Sequence, residues 1–198
     1  MKTLVIKYTP REERSNTRKI LDAFLKKAKN VEILDLCEDM PDLFDRKNLS
    51  VYYRKNYMDE ALNKEELKPM QKMYRMTEQL KSATHVVIAF PMYNFSIPAP
   101  VKAWIDSVVL NNITFMMDDK GFHGKLNAKG LVINTRSGAY QGAMKRLDHA
   151  VPLVVDGLQF MGINDVKTVI AEGIGMGNAE PVAKAIKEVE AVAKEWYS

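Results

Sequence analysis

Three stretches of this chain hold residue types that could do chemistry, and each directly follows a short apolar run. The first reads Tyr8-Thr9-Pro10-Arg11-Glu12-Glu13-Arg14-Ser15-Asn16-Thr17. It has no glycine, so it is neither a GxGxxG turn nor a Walker loop. The short hydroxyl and amide side chains of Ser15, Asn16 and Thr17 instead stand where a helix begins. Free backbone N–H groups and the positive end of the helix dipole suit a terminal phosphate monoester there. A plain N-cap would use the same residues equally well. The run ends in Lys7, Tyr8 and Thr9, not in carboxylates, which excludes a metal-dependent phosphoacceptor site.

The second stretch is Pro91-Met92-Tyr93-Asn94-Phe95-Ser96-Ile97-Pro98-Ala99-Pro100, leading into a helix expected over Val101 to Leu110. Two prolines fix the shape of the loop where the helix starts. A rigid loop can aim backbone N–H groups at a flat heterocycle while aromatic and thioether side chains pack against its face. Apolar loop residues this dense need a reason to be exposed; burial against a neighbouring loop is the plainer alternative. Asn94, polar amid Met92, Tyr93 and Phe95, is hard to justify as packing, and its amide could bridge the loop to a ligand. The third stretch is Asn134-Thr135-Arg136-Ser137-Gly138-Ala139-Tyr140-Gln141-Gly142. Its small residues permit close backbone approach to a ligand rim, and Tyr140 could lie over a ring. The Arg136 side chain has two readings, a ligand contact or a surface ion pair.

The elements that must position these loops follow from hydrophobic patterning. Thr3 to Lys7, Val31 to Leu36, His85 to Phe90 and Gly130 to Asn134 read as strands buried on both faces, and Val166 to Ala171 as a fifth. Between them lie helical stripes such as Ile20, Leu21, Phe24, Leu25 and Ala28, with another near Met70 to Ser82. The chain closes on Val182, Ile186, Val189, Ala193 and Trp196, where Trp196 reads as core. Strand alternating with helix predicts an α/β, doubly wound, parallel five-stranded sheet with helices on both faces, as a single domain over 1–198. In such a sheet ligands sit beyond the carboxyl ends of the strands, where the three loops fall. Glu38 to Pro69 is an unusually long connection, either a functional lid or partner surface or a solvated excursion.

Bulk properties narrow the function. The 198 residues are enough to bury roughly 70% of the surface an unfolded chain would expose. No apolar stretch reaches the ~18 residues of a membrane helix, and the first residues do not read as a signal peptide. A lone Cys37 fits a reducing cytoplasm and reads as an inert thiol. The net charge of +4 is spread along the chain. Its densest group, Lys26, Lys27 and Lys29, reads as a solvated helix face, which argues against nucleic acid as a partner. His85, expected before the third strand, His123 in a turn and His149 on a helix have no second ligand at metal spacing.

Together the loops carry a resemblance. Pro91-Met92-Tyr93-Asn94-Phe95, followed by Lys102, Asp106, Ile113-Thr114-Phe115, Thr135-Arg136-Ser137-Gly138, Phe160-Met161-Gly162-Ile163-Asn164-Asp165-Val166 and Ala171-Glu172-Gly173, resembles the FMN-dependent NADH-azoreductase and quinone reductase family. The match runs in order over nearly the whole chain. It implies a flavodoxin-like fold with strand order 2-1-3-4-5. It also implies an FMN enzyme that passes two electrons from NADH or NADPH to quinones or azo compounds in a ping-pong scheme, with no protein nucleophile. A flavodoxin-like electron carrier or a non-enzymatic flavin or quinone sensor are the alternatives, although carriers of that kind are usually smaller and acidic.

Position by position, the resemblance implies that Thr9 and Ser15 to Thr17 take the ribityl chain and phosphate. Pro91, Met92, Tyr93, Asn94 and Phe95 would line the ring system, and Thr135, Arg136, Ser137, Gly138 and Tyr140 would border its pyrimidine end. It further implies a homodimer in which Phe160 covers the partner's flavin and Met117 joins the substrate pocket. Two departures stand out. Met117 replaces a relative's tyrosine, and Arg11, Glu12, Glu13 and Arg14 stand where relatives carry small polar residues.

Overall fold

The computed structural model describes residues 1–198, save the side chain of Met176. Its strands are β1 (Thr3–Lys7), β2 (Val31–Asp35), β3 (His85–Pro91), β4 (Phe115–Asp118), β5 (Gly121–Gly124), β6 (Lys129–Arg136) and β7 (Asp165–Glu172). Five of them form one parallel sheet in the order β2-β1-β3-β6-β7, and β4 and β5 pair as an antiparallel hairpin. Numbering the five sheet strands alone gives the expected order 2-1-3-4-5. The helices are α1 (Asn16–Leu25), α2 (Arg46–Asn56), α3 (Gln71–Lys81), α4 (Ala99–Val108), α5 (Val151–Phe160) and α6 (Glu180–Tyr197).

Side chains alternate across the sheet, so each strand feeds two cores. Leu4, Ile6, Ile88, Phe90 and Val132 face Met76 and Leu80 of α3, Trp104 and Val108 of α4, and Val154 and Leu158 of α5. Val5, Val87, Ala89, Leu131 and Ile133 face Ile20, Leu21 and Phe24 of α1 together with Val189, Ala193 and Trp196 of α6. Full burial of a side chain such as Phe24 or Leu4 is worth about 1.5–3 kcal/mol each. Trp196 is core as expected, edge-on to Phe24 at 5.9 Å and 4.8 Å from the His85 ring.

The register builds the site. Thr3, Val31 and His85 start level, so β1 and β2 both end level with Ala89 of β3. β3 continues to Pro91 and β6 to Arg136, leaving a step above Lys7. The chain crosses to opposite sides of β1 to make β2 and β3, so this step is the switch point where ligands bind in such sheets.

Several boundaries differ from those the sequence suggests. α4 begins at Ala99, because Pro100 occupies an early helical position where its missing N–H costs nothing. His149 lies in the turn ahead of α5 and not on a helix, and His123 sits on β5. α1 stops at Leu25, so Lys26, Lys27 and Lys29 follow the helix instead of forming a face of it. The long connection contains α2, N-capped by Asp45, whose carboxylate accepts from Asn48 N at 2.8 Å. Val51 and Tyr52 of α2 pack on Met70, Met73 and Leu110 as a small third core.

The hairpin has no counterpart in the sequence reading. It is anchored by a close backbone approach: a Cβ at Gly124 would lie 2.1 Å from the Gly162 amide nitrogen. Gly162 itself has φ of +100°. The contact seats the hairpin on the end of α5.

Candidate functional site

The helix after β1 begins as an anion site would. Ser15 is its N-cap, the hydroxyl accepting from Arg18 N at 3.2 Å. Asn16 and Thr17 occupy the first two helical positions, whose N–H groups have no intrahelical acceptor. The buried Thr17 hydroxyl lies 2.6 Å from that of Thr135 at the end of β6. Two paired hydroxyls use only one of their hydrogens on each other, which leaves one to donate elsewhere. The pair also pins the helix start to the sheet.

Thr9 is buried on the other side of the loop. Its carbonyl accepts from Glu12 N at 2.9 Å, and the residue lines a neighbouring cleft with Lys7, Asp35 and Cys37. Partial desolvation of the otherwise exposed Cys37 thiol, with Asp35 close by, pushes its pKa up, so it stays protonated near neutrality.

The loop after β3 is a tight turn. Tyr93 and Ser96 exchange backbone hydrogen bonds, each 3.0 Å. Asn94 and Phe95 between them have φ of +46° and +72°. Positive φ at both central positions defines a type I′ turn, which favours Asn or Gly and is strained for phenylalanine. Such strain concentrates at functional sites. Among the described residues the N–H groups of Asn94 and Phe95 have no acceptor. Asn94 itself is exposed and makes no side-chain hydrogen bond among the described residues. The positive φ by itself gives asparagine a reason to stand at this position. Tyr93 and Phe95 are 41% and 46% exposed, while Met92 is buried and donates its N–H to Thr135 O at 2.8 Å.

The loop after β6 rests on an interior charge cluster. Arg136, 6% exposed, lies 2.6 Å from Asp148 and 3.1 Å from Glu172. The Asp148 approach is a close ion contact without an aligned N–H, and the arginine Nε has no acceptor among the described residues. Arg136 is thus in a buried ion pair, neither a surface pair nor a free ligand cation. Its guanidinium lies 5.0 Å from the Tyr140 ring centroid, and Tyr140 meets Phe95 edge-on at 6.4 Å. Ser137 O and Gly138 O accept from Gly175 N and Gly173 N at 3.1 and 3.0 Å, tying the loop to the exit of β7.

These loops enclose one cleft. Ser15, Asn16 and Thr17 line one wall, Pro91, Met92 and Tyr93 the second, and Thr135, Arg136 and Ser137 the third. Asn94, Phe95, Gly138 and Tyr140 flank that lining without being part of it, and Thr9 lies outside it. Pro10, Arg11 and Ile174 also line the cleft. Sequence reasoning missed them: nothing in a proline or arginine ahead of a helix says which way the loop folds.

Met117 and Phe160 belong to a different region. α5 starts beside the cleft and runs about 15 Å toward the amino ends of the strands, so Phe160 finishes far from Thr17. There its ring packs 4.7 Å from Phe115 and 5.3 Å from Phe122 of the hairpin. Met117 pairs with Phe122 across the hairpin, and both are more than 60% exposed. No helix among the described residues is long and apolar enough to cross a membrane.

A parallel sheet of this order with a polar-walled cleft at its switch point defines a flavodoxin-like protein, and residues 1–196 match the family described by that fold. The chain belongs to that family. Among curated relatives, the FMN-dependent NADH:quinone oxidoreductase of Azotobacter vinelandii is 34% identical over 183 residues, 89% of each chain. That of Francisella philomiragia is 31% identical over 191 residues, 96% of this chain and 95% of its own. Among solved structures, an FMN-dependent NADH-azoreductase from Bacillus anthracis in complex with FMN superposes with a TM-score of 0.89. It is 26% identical and covered completely, as is this chain.

Proposed function

We propose that this chain is an FMN-dependent oxidoreductase that passes two electrons from NADH to a quinone or azo compound, each reactant in turn using one slot. The observation that carries this reading is an anion-binding helix start lining the cleft and, flanking it, a strained turn whose two central amides have no acceptor among the described residues. FMN has matching ends, a phosphate monoester and a flat heterocycle.

The residues fit that group. Ser15, Asn16 and Thr17 would hold the phosphate through amides and short side chains. Asn94 and Phe95 amides would donate to ring heteroatoms, Met92 and Tyr93 would pack the ring, and Ser137 and Gly138 would border it. Bound there, FMN would supply the redox chemistry between the nicotinamide and the acceptor. The chain's own task is to bind, orient and shield. Tyr93 and Phe95 keep exposed apolar faces against which a second planar molecule can pack. Unpaired amide dipoles held rigidly by the turn favour negative charge developing near them.

The working unit we infer is a homodimer of one-domain chains. Phe122, Phe160 and Met117 form an exposed apolar patch too far from their own cleft to serve it, and such patches mark association surfaces. A reducing, cytoplasmic location fits the single exposed Cys37.

The test is direct. Purified protein is denatured, the released flavin is identified by chromatography, and steady-state oxidation of NADH and of NADPH is followed with and without a quinone. FMN together with rapid acceptor-dependent turnover is expected. FAD, or no flavin after reconstitution, would overturn the assignment. Bound FMN without turnover would favour a carrier or a sensor.

A further inference from the structure

Among the described residues, the cleft that would hold the phosphate is lined by no carboxylate and by two guanidinium groups, Arg11 and Arg136. Their situations differ. Arg136 is neutralised by Asp148 and Glu172. Arg11 is exposed, lines the wall beside Ser15, Asn16 and Thr17, and is in no ion pair among the described residues. Its neighbours in the loop do not compensate it. Glu13 is engaged by Arg18 at 2.9 Å. Glu12 does not line this cleft but the neighbouring one beside Lys7 and Cys37.

The loop's backbone is folded on itself. Glu12 N bonds to Thr9 O at 2.9 Å and Arg14 N to Arg11 O at 3.0 Å, closing a short 3-10 turn. Within it Glu12 has φ of +50°, an uncommon conformation for a non-glycine residue. Arg11 lines the cleft beside Ser15, Asn16 and Thr17, and the acidic residues of the loop do not, although on its outer side Arg11 shares a shallow hollow with Glu12, Glu13 and Arg14.

From this we propose that Arg11 is a phosphate-binding residue of this chain. It pairs with the terminal phosphate monoester of the cofactor and adds charge to a nest otherwise built of amides and hydroxyls. The inference rests on the FMN reading above. A phosphate monoester is near-dianionic at neutral pH, and a guanidinium beside it makes a charge-assisted bond stronger than neutral donors make. Binding of the phosphorylated flavin then depends on salt, and that of the unphosphorylated flavin does not.

Apoprotein titrated with FMN and with riboflavin, by quenching of flavin fluorescence at low and high salt, tests this without any turnover. The parent is expected to prefer FMN. Arg11→Ala should weaken FMN about ten-fold at low salt, leave riboflavin unchanged and flatten the salt dependence. Arg11→Lys should recover most of the loss. Arg14→Ala, on the same loop but outside the cleft lining, should bind like the parent. An Arg11→Ala protein that binds both flavins as the parent does overturns the role of Arg11 and leaves the FMN reading standing. Equal loss of both flavins makes Arg11 a loop-shaping residue and also overturns it. A parent that binds neither flavin overturns both readings.

Discussion

Arg136 and Asp148 meet at 2.6 Å where the end of β6 faces the start of α5, and the contact ties together the loops on one side of the cleft. The other oxygen of Asp148 accepts from Ala150 N and Val151 N at 3.2 and 3.4 Å, so it caps α5. Glu172, the second partner of Arg136, accepts from Tyr140 N at 3.0 Å and from the Gln141 amide at 2.8 Å. His149, next to Asp148, donates its N–H to Phe95 O at 3.0 Å. One guanidinium therefore fixes a helix start, a strand end and the loop carrying Tyr140, and reaches the Asn94–Phe95 turn through one further residue.

Replacing Arg136 with alanine should destabilise the protein more than deleting a surface charge would. Two partly buried carboxylates would lose their counter-charge. Removing one partner of a fully buried pair costs roughly 3–5 kcal/mol, and partial exposure of both acids brings the expectation to about 2–3 kcal/mol. Urea unfolding followed by circular dichroism measures it. Arg136→Ala combined with Glu172→Gln should recover part of the loss. A parent-like midpoint for the single variant would mean the cluster is energetically idle.

The same cluster sets an acid limit. Burial works against the Glu172 carboxylate, yet the Tyr140 N–H, the Gln141 amide and Arg136 outweigh it and hold the carboxyl below its usual range. A depressed folded-state pKa adds stability that is complete above the unfolded value, near 4.3 for glutamate, and is lost as pH falls through the folded value. Stability should therefore drop below about pH 4. Glu172→Gln should flatten that part of the curve, and a parent-like acid limb in this variant would assign the acid sensitivity to other carboxylates.

The sheet and its helices were legible because their signals are local and repeated. Val86 to Phe90 is an apolar run without alternation, as a strand covered on both faces must be, and it lies in β3. The strand order was legible only through resemblance, since hydrophobic period says nothing about which strands are neighbours. The short hairpin at Phe115 to Gly124 was not legible. Four-residue strands with exposed Met116 and Met117 carry little pattern, and what seats them, the approach of Gly124 to Gly162, is long-range. In the cleft, Ser15 to Thr17 could be read from helix-start chemistry. The burial of Arg136 could not, because Asp148 and Glu172 lie 12 and 36 residues further along the chain. Asn94 was visible as a polar residue in an apolar loop, but its left-handed backbone was not, because the way the turn closes sets that angle.

Association should depend on the hairpin end of the molecule. Phe122→Asp adds a charge to an exposed ring that packs 5.3 Å from Phe160 and leaves the two main cores untouched. Sedimentation of the parent at micromolar concentration should give about twice 22.5 kDa, and the variant should shift toward the monomer. Turnover should fall with the dimer population if the patch completes a partner's cleft. A parent that is monomeric and fully active would remove the patch from the mechanism.

The last prediction separates backbone from side chain at the turn. Asn94 has φ of +46°, makes no side-chain hydrogen bond among the described residues and is exposed. Asparagine tolerates the left-handed region far better than most residues, and glycine adopts it freely. Asn94→Ala should cost roughly 1 kcal/mol through strain at that position. Because the cost falls on a turn whose amides would face the ligand, it should appear as weaker flavin binding, about five-fold, more than as a lower unfolding midpoint. Asn94→Gly keeps the turn and removes the amide, so it should bind flavin like the parent. Titration of the three apoproteins with FMN under one buffer distinguishes the cases. If glycine is as damaging as alanine, the Asn94 side chain itself touches the ligand, and the conformational account of this residue is wrong.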